Sequence, residues 1–475
     1  MNEITIIGLG VDGCDLSKTA ESIIKSSVKT IARTGLTKSY ENLSSFGKKI
    51  DTLDFIYEKS RNFDTLNKNL GNEVIKIAKS QPVCYLVDGC ATEDNSVKYI
   101  LSKCKNVKIY AGVSHASKCL ERLGVCESNY TAISSYEVGD SYTLSAPLVV
   151  YAIDSVITAS KIKLFLLDVF GEEIKVNLSS NGGNKEIFLY ELDRQKSYDY
   201  STCLYIPKLP LTKKQRYDFN DLLSILEILR SPNGCPWDRE QTEKSILKNV
   251  VEEAYELVDA VNSGDDFMII EETGDLILQS AFYIAFGEEG SRFSRYDVLS
   301  DLCKKLITRH THVFGEDKAV KSSDALSVWN NNKIVEKGYE TATDYLNAVP
   351  STMPSLMRAE KIGKRAGKYG FDFENSKTAT DKILEEIKEL SIAVESGDKE
   401  EIQKECGDLL FSAVNVVRLL GVDAELSLKY SVDKFINRFS KVESEVMAKG
   451  KELTDFTLLE LDEIYNQVKG VKDDN

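Results

Sequence analysis

Short apolar runs alternate with longer stretches of helical periodicity through the first 206 residues. Runs rich in Val, Ile, Leu and Tyr favour buried strands, and helical spacing between them favours crossover helices. This alternation predicts an α/β region over residues 1–206, with a mainly parallel sheet arranged in two lobes. The predicted strands are Glu3–Gly10, Val83–Val87, Val107–Gly112, Leu148–Ile153, Ile174–Ser180 and Thr202–Pro207.

The strand pattern stops at the segment PKLPLTKKQ, Pro207 to Gln215. Its two prolines predict a linker, which we place at 207–216. Beyond it the periodicity is helical almost throughout, and a second break occurs at NAVPSTMPS, Asn347 to Ser355. We therefore expect two all-α domains, at 217–340 and 371–470, joined by a connecting segment at 341–370.

The two helical parts are copies of one another. EEAYELVDAVNSGD, Glu252 to Asp265, and EEIKELSIAVESGD, Glu385 to Asp398, are identical at nine of fourteen positions. The alignment continues without gaps to Asp275 and Asp408 at a constant offset of 133 residues. Such agreement indicates an internal duplication.

Each copy contains the pattern EExxE, then a turn, then ExxD. Carboxylates three residues apart lie on one face of a helix, so the reversal brings two from each helix together. Crowded carboxylates repel unless a cation lies among them, and an all-oxygen set suits Mg²⁺ or Mn²⁺. A solvated acidic surface is the alternative for one such motif, but the repetition favours a metal site. The candidate residues are Glu252, Glu253, Glu256, Glu272 and Asp275, and Glu385, Glu386, Glu389, Glu405 and Asp408.

Basic and aromatic residues recur with matched spacing. Lysine and arginine four residues apart on a helix can neutralise phosphate oxygens, and an aromatic ring can stack on a base. Taken singly, such pairs are common on surfaces and such rings are common in cores. The candidates are Lys305, Arg309, Trp329 and Lys333 in the first copy, and Lys434, Arg438, Tyr465 and Lys469 in the second.

Composition narrows the classes of partner. The net charge is −15, which argues against nucleic-acid polymers as partners. No apolar run approaches the ~20 residues of a membrane span, and the start of the chain lacks a signal-peptide pattern, so we expect a cytoplasmic protein. The ten cysteines form no CxxC pair and there are three histidines, so a zinc site is not expected.

The helical region resembles a tandem MazG protein, a nucleoside triphosphate pyrophosphohydrolase. The motifs that carry the resemblance are GCPWDREQT, VVEEAYELVDAV, EETGDLIL, KLITRHTHVFG, PSLMRAEKIGKRAGKYGFDF, LEEIKEL, KECGDLLF and DKFINRF. They cover essentially the whole region from about residue 217 to 470. The resemblance implies Mg²⁺-dependent hydrolysis of an NTP to an NMP and pyrophosphate.

The resemblance also implies functions for residues. Glu386, Glu389, Glu405 and Asp408 would hold the metal, as would Glu253, Glu256, Glu272 and Asp275 in the first copy. Glu252 and Glu385 would hold a second metal or position water, and Lys434 and Arg438 would stabilise the leaving pyrophosphate. Such proteins rely mainly on the second copy, and they usually form dimers. Pairing of two hairpins, either the two copies within one chain or hairpins of two chains in a dimer, would bury the apolar stripe of Ile246, Val250, Ala254, Leu257 and Val261. Relatives tend to have tryptophan where this chain has Tyr465.

Residues 1–206 resemble the tetrapyrrole methylase family. The supporting stretches are IIGLGVDGCD, IARTG, DFIYEKS, IYAGVSHASKCLERLGV and LYELDR. The resemblance implies two α/β lobes with S-adenosylmethionine in the cleft between them, near Gly8, Gly10, Asp88 and Gly112. The chain departs from the family's GxGPGD turn at Val11 to Gly13 and from its Pro-Gly-x-Pro loop at Val87 to Asn95. We therefore expect the methylase fold and leave methyl transfer open.

Three functions follow as hypotheses. The first is an enzyme that hydrolyses standard or damaged NTPs. The second is a bifunctional protein with a working methyltransferase in front. The third is a metal-stabilised helical scaffold without catalysis. Pyrophosphate release separates the first from the third, and cofactor binding separates the first from the second.

Overall fold

Ten strands, all within the first 206 residues, form two five-stranded sheets in the part of the chain that is described, residues 2–60, 62–139 and 145–470 of a computed structural model. The strands are β1 Ile4–Gly8, β2 Lys29–Ala32, β3 Asp51–Thr52, β4 Val83–Val87, β5 Val107–Tyr110, β6 Thr131–Ser134, β7 Leu148–Tyr151, β8 Lys175–Ser180, β9 Gly183–Phe188 and β10 Cys203–Ile206.

The first sheet has the order β3-β2-β4-β1-β5, and all its strand pairs are parallel. Every residue of β4 is buried, as expected for a central parallel strand covered on both faces. Ile6, Tyr85 and Leu70 lie in the core of this lobe. The prediction of a parallel α/β lobe is confirmed here.

The second sheet has the order β6-β7-β10-β8-β9, and only its β6–β7 pair is parallel. The prediction of a mainly parallel sheet is therefore wrong for the second lobe. The strands β8 and β9 form a hairpin that reverses at Asn181 and Gly182. Four of the six residues of β9 are exposed and its sequence, GNKEIF, is largely polar, so the hydrophobic pattern gave no strand there.

Twenty α-helices accompany these strands within the described residues. They are α1 Lys18–Ser26, α2 Lys38–Glu41, α3 Asp54–Tyr57, α4 Phe63–Ala78, α5 Asn95–Lys103, α6 His115–Leu123, α7 Val156–Phe170, α8 Phe219–Arg230, α9 Pro236–Glu240, α10 Leu247–Ser263, α11 Asp266–Glu289, α12 Arg295–Arg309, α13 Thr311–Phe314, α14 Ser322–Lys337, α15 Ala342–Asn347, α16 Ser355–Gly367, α17 Ser376–Ser396, α18 Lys399–Leu419, α19 Ala424–Ala448 and α20 Leu458–Gly470.

The helical region predicted beyond residue 206 is confirmed, since β10 is the last strand of the described chain. The chain separates into two compact units, Met1–Ser294 and Arg295–Asn475. Within the described ranges, no helix combines the length and the apolar character needed to cross a membrane.

Two helix hairpins carry the duplicated acidic motifs. The helices α10 and α11 form the first, and α17 and α18 form the second. Each reversal uses a left-handed glycine, Gly264 at φ 71° or Gly397 at φ 72°, followed by an aspartate whose side chain caps the next helix. The predicted turn is thus confirmed in both copies.

Candidate functional site

The first hairpin brings three carboxylates together. Glu253 on α10 and Glu272 and Asp275 on α11 each offer an oxygen, and these oxygens lie within 4.8 Å of one another. Partial burial raises the pKa of Glu253, and so do the carboxylates of Asp275, Glu256 and Glu272. Like charges therefore crowd at this site, and a cation would relieve the repulsion.

The second hairpin repeats the arrangement with the equivalent residues. Oxygens of Glu386, Glu405 and Asp408 lie within 4.8 Å of one another. Desolvation is the largest cause that raises the pKa of Glu405, and the charges of Glu389, Asp408 and Glu386 raise it further. Glu386 is buried, with 4% of its surface exposed, whereas Glu253 is half-buried.

The two groups of close carboxylates include neither Glu256 nor Glu389, which the sequence predicted as metal ligands. Desolvation raises the pKa of Glu272, and Glu256 raises it further by its charge and by a hydrogen bond. The leading glutamates bind lysines on their own helices, since Glu252 accepts from Lys248 at 2.8 Å and Glu385 from Lys382 at 2.9 Å.

The two clusters differ in what holds their central glutamate. Glu253 accepts a hydrogen bond from the amide of Gln279 at 3.3 Å, and Ser412 occupies the equivalent position in the second copy. Glu386 instead pairs with Lys382 at 2.8 Å, where the first copy has Asn249. Lys382 and Gln279 belong to none of the motifs described above. Comparison of the copies at the offset of 133 would have marked both positions.

The basic and aromatic candidates of the first copy meet between α12 and α14. Arg309 is buried, and its guanidinium donates to both carboxylate oxygens of Glu336, at 2.7 and 2.9 Å. Arg309 and Lys333 lie 5.2 and 5.1 Å from the ring centroid of Trp329. Lys305 lies one turn earlier on α12. Its side chain is partly exposed, and its ammonium group pairs with Asp301 of the same helix at 3.0 Å.

The corresponding candidates of the second copy lie on α19 and α20. Lys434 and Lys469 are exposed, and Arg438 and Tyr465 are half-buried. The ring of Tyr465 lies 6.2 Å from that of Phe435, centroid to centroid. Phe435 itself is 55% exposed, so this aromatic pair stands at the surface of its unit.

The glycines of the N-terminal region meet one another at the ends of three strands. The backbones of Gly10 and Gly89 exchange two hydrogen bonds, at 3.1 and 2.8 Å. A Cβ on Gly8 would come within 1.9 Å of the Ala111 carbonyl, and one on Gly112 within 2.5 Å of the Gly8 carbonyl. The close approach of these backbones is sufficient to require glycine.

The turn that follows Gly10 is closed by its own aspartate. The Asp15 Oδ2 atom accepts hydrogen bonds from the backbone N–H groups of Val11 and Asp12, at 3.0 and 2.8 Å. Asp15 also pairs with the buried Lys118 at 2.9 Å. The amides that a glycine-rich turn can offer to an anionic ligand are therefore occupied here.

Asp88, at the end of β4, faces hydroxyl groups. Its Oδ1 accepts from Thr37 and Ser39, both at 2.5 Å. Burial raises the pKa of Asp88 against the opposing effect of these two hydrogen bonds.

The helical region matches known proteins over both hairpins. The sequence profile of the MazG nucleotide pyrophosphohydrolase domain matches residues 241–314 and 374–443. A nucleoside triphosphate pyrophosphohydrolase of Escherichia coli (strain K12) is 39% identical over 251 residues, covering 52% of this chain and 95% of that protein. The chain belongs to the MazG family. The tandem MazG resemblance seen in the sequence is thus confirmed.

A relative of the same overall length also exists. An uncharacterized protein of Bacillus subtilis (strain 168), YabN, is 31% identical over 486 residues, with 98% of each chain covered. The association of the N-terminal region with two MazG repeats is therefore shared with another protein.

The N-terminal region also has solved structures similar to it. A precorrin-6Y methylase from Archaeoglobus fulgidus aligns with 44% of this chain and all of that chain, at 15% identity and a TM-score of 0.33. A uroporphyrin-III-C-methyltransferase from Thermus thermophilus aligns with 44% of this chain at 14% identity and a TM-score of 0.34.

All the clustered carboxylates lie inside the two MazG matches. The first match contains α10 and α11, and the second contains α17 and α18. Trp329, Lys333, Tyr465 and Lys469 lie beyond the matched ranges. The match to the family therefore covers the two hairpins. The functions assigned to Trp329, Lys333, Tyr465 and Lys469 remain predictions.

Proposed function

We propose that this chain is a nucleoside triphosphate pyrophosphohydrolase, which converts an NTP and water to an NMP and pyrophosphate. The repeated carboxylate cluster on the two MazG hairpins is the observation that carries the proposal. The relatives named as nucleoside triphosphate pyrophosphohydrolases support it, because 95% and 96% of their lengths align with this chain at 39% and 38% identity.

The donor set fits a hard divalent cation, Mg²⁺ or Mn²⁺. Each cluster offers carboxylate oxygens alone, all within 4.8 Å, and such oxygens are the preferred ligands of Mg²⁺. Desolvation, and after it the charges of the neighbouring carboxylates, raises the pKa of Glu253, Glu272 and Glu405, which is consistent with a place for a cation. When bound, the cation would acidify water and screen the charge of the triphosphate.

The chain's own residues would supply positioning and charge. We assign Glu385, which is exposed and one residue before the buried Glu386, to orient the attacking water. Lys434 and Arg438 would neutralise the leaving pyrophosphate. Tyr465 and Lys469 would contact the base. Glu252, Lys305, Arg309, Trp329 and Lys333 would have the same functions in the first copy.

We place the principal activity in the second copy. Glu386 is more buried than Glu253, so its side chain is better fixed in position. In the first copy, Nε and Nη2 of Arg309 donate to Glu336 at 2.7 and 2.9 Å, which leaves this guanidinium less available to phosphate.

The proposal is tested by measuring pyrophosphate release. The purified full chain is incubated with a panel of standard, deoxy and modified NTPs in Mg²⁺, and again with excess EDTA. The double variant Glu386→Gln with Glu389→Gln should lose more than about 100-fold in kcat, because the cation loses charged ligands. Glu395→Gln, an exposed change on the same helix, is the matched control.

The same assay decides between the copies. The variant Glu253→Gln with Glu256→Gln should keep most of the activity. If it abolishes release while the α17 variant does not, the first copy is the active one. If no NTP gives Mg²⁺-dependent release, the chain is a metal-stabilised scaffold and the proposed function is wrong.

Three further features belong to the proposal. We expect a cytoplasmic protein that acts as a homodimer on free nucleotides.

Methyl transfer is the second candidate activity, and it is tested by measuring the binding of S-adenosylmethionine to the full chain by calorimetry. The variant Gly8→Ala would not distinguish loss of cofactor binding from a folding defect, because the added Cβ would collide with the backbone at Ala111.

A further inference from the structure

Lys333 on α14 lies among other cations. Burial lowers the pKa of its ammonium group, and the charges of four further basic residues lower it more. These residues are Arg365, Arg309, Lys361 and Lys368. Positive charges therefore gather at this place in a chain whose net charge is −15.

Some of the basic residues here are neutralised by partners of their own. Arg309 donates to Glu336 at 2.7 and 2.9 Å, and Lys364, within α16, pairs with Glu360. Four others, which we call the basic cluster, pair with no carboxylate of the described chain. They are Lys333, Lys361, Arg365 and Lys368.

Three members of the basic cluster come from one stretch of sequence. Lys361 and Arg365 lie on α16, and Lys368 occupies the C-cap position of that helix. Spacings of four and three residues place side chains on one face of a helix, so these charges lie side by side. Lys361 and Lys368 are exposed and Lys333 is half-buried, so the three ammonium groups can be reached from solvent.

Tyr345 holds the interior side of the basic cluster. The guanidinium carbon of Arg365 lies 4.3 Å from the centroid of the Tyr345 ring, and the guanidinium donates to the Tyr345 backbone carbonyl. The ammonium group of Lys368 lies 5.5 Å from the same centroid and donates to the Tyr345 hydroxyl at 3.2 Å. Only 6% of the surface of Arg365 is exposed, so solvent screens its charge weakly.

The basic cluster lacks a compensating negative charge. Like charges repel, and a buried charge without an opposite charge beside it is costly. An anion bound between the lysines would offset both effects. Ammonium and guanidinium groups are common protein ligands of phosphate oxygens, and several adjacent cations suit an anion that carries several charges. This favours two or more linked phosphates over a single phosphate ester.

We propose that the basic cluster binds the condensed phosphate groups of a small molecule without the help of a metal ion. The three lysines would contact phosphate oxygens, and Arg365 would add its charge from the interior. Lys333 and α16 lie between the two ranges that match the MazG profile, so the family match does not extend to this cluster. The proposal adds a phosphate contact to the base contact that we assign to Lys333.

The test titrates the full chain by calorimetry with pyrophosphate, ATP and AMP in excess EDTA. The chelator prevents binding through Mg²⁺ at the carboxylate clusters and prevents the proposed hydrolysis, so the result does not depend on that activity. Pyrophosphate and ATP should bind, and AMP should bind about tenfold or more weakly, because it carries less charge. A free condensed phosphate as ligand predicts tighter binding of pyrophosphate, a nucleotide predicts tighter binding of ATP, and either order supports the proposal. If pyrophosphate does not bind, or if AMP binds as tightly, the proposal is wrong.

Paired variants locate the binding. Lys361→Met with Lys368→Met removes two exposed charges and should weaken the binding of pyrophosphate about tenfold or more. Lys361→Arg with Lys368→Arg keeps the charges and should retain binding. Lys449→Met with Lys451→Met is the matched control, because these exposed lysines also lie against a ring, 6.0 and 5.0 Å from the centroid of Phe456. Equal weakening in the two methionine variants, or loss of binding in the arginine variant, would contradict the proposal.

Discussion

Lys382 illustrates how much a single residue alters an otherwise duplicated site. Its ammonium group lies 2.8 Å from Glu386 and 2.9 Å from Glu385, whereas the first copy has the neutral Asn249 at this position. The lysine offsets the repulsion within the metal-free cluster, and it competes with a cation for Glu386.

Replacement of this lysine should strengthen binding of the metal. In Lys382→Met, the Kd for Mn²⁺ measured by electron paramagnetic resonance should fall roughly two- to fivefold, because a competing surface charge is removed. Lys25→Met removes a lysine that pairs with a glutamate of its own helix in the N-terminal region, Glu21, and serves as the control. Weaker binding in Lys382→Met would show that the lysine instead helps to hold Glu386 in place for the cation.

His115 should make the stability of the N-terminal region depend on pH. Its pKa is lowered from 6.5 to about 4, chiefly by burial, so folding favours the neutral ring. The resulting stability is fully present above pH 6.5 and is lost as the pH falls toward 4, by about 3 kcal/mol in all. Calorimetric unfolding of the wild type and of His115→Gln between pH 7 and 4.5 measures this contribution. The variant should lose that part of the slope, and an unchanged slope would assign the effect to other groups.

At the scale of elements, the duplicated hairpins were the most predictable part of the molecule. Their helices, their glycine reversals and the faces of their carboxylates follow from 3.6-residue spacing and turn chemistry. The strand β9 was not predictable in this way, because four of its six residues are exposed and hydrogen bonds to β8 hold it in the sheet. The partners of the central glutamates were also missed, since Lys382 and Gln279 form no recognised motif.

The reversals themselves allow a matched test. Gly264 and Gly397 adopt φ values of 71° and 72°, and nothing lies within 4 Å of a Cβ at either position. Alanine at either site should therefore cost only the backbone strain, about 1 kcal/mol in the free energy of unfolding. Urea denaturation of Gly264→Ala and Gly397→Ala measures both costs. A much larger loss at one site would reveal packing against that turn that occurs only in an assembly.

At the scale of the whole molecule, the helical region leaves large apolar side chains at its surface. On α19 alone, Leu428, Phe435 and Ile436 are 53, 55 and 56% exposed. On α10, Val261, which belongs to the predicted apolar stripe, is 57% exposed. Large apolar side chains exposed in this way are typical of protein interfaces, in agreement with the homodimer that we propose.

The proposed dimer is tested by sedimentation of the full chain. Leu428→Lys places a charge in the apolar surface of α19 and should shift the chain toward the monomer at micromolar concentrations, because the lysine would be desolvated in the interface. Ser444→Lys adds the same charge at an exposed polar position on the same helix and should leave the mass unchanged. A wild-type chain that sediments as a monomer at every concentration would contradict the dimer.

The glycines that pack together at the ends of β1, β4 and β5 limit what can be inferred when the same glycines occur in a homologous sequence. Gly8 and Gly112 cannot accept a Cβ without collision with neighbouring backbone, and Gly10 and Gly89 are joined by paired hydrogen bonds. Backbone packing alone would therefore retain these glycines, whether or not a ligand binds beside them. If homologues keep these glycines, that would indicate a conserved fold of the lobe. Evidence for a conserved activity would have to come from the residues that line the cavity between the two N-terminal lobes.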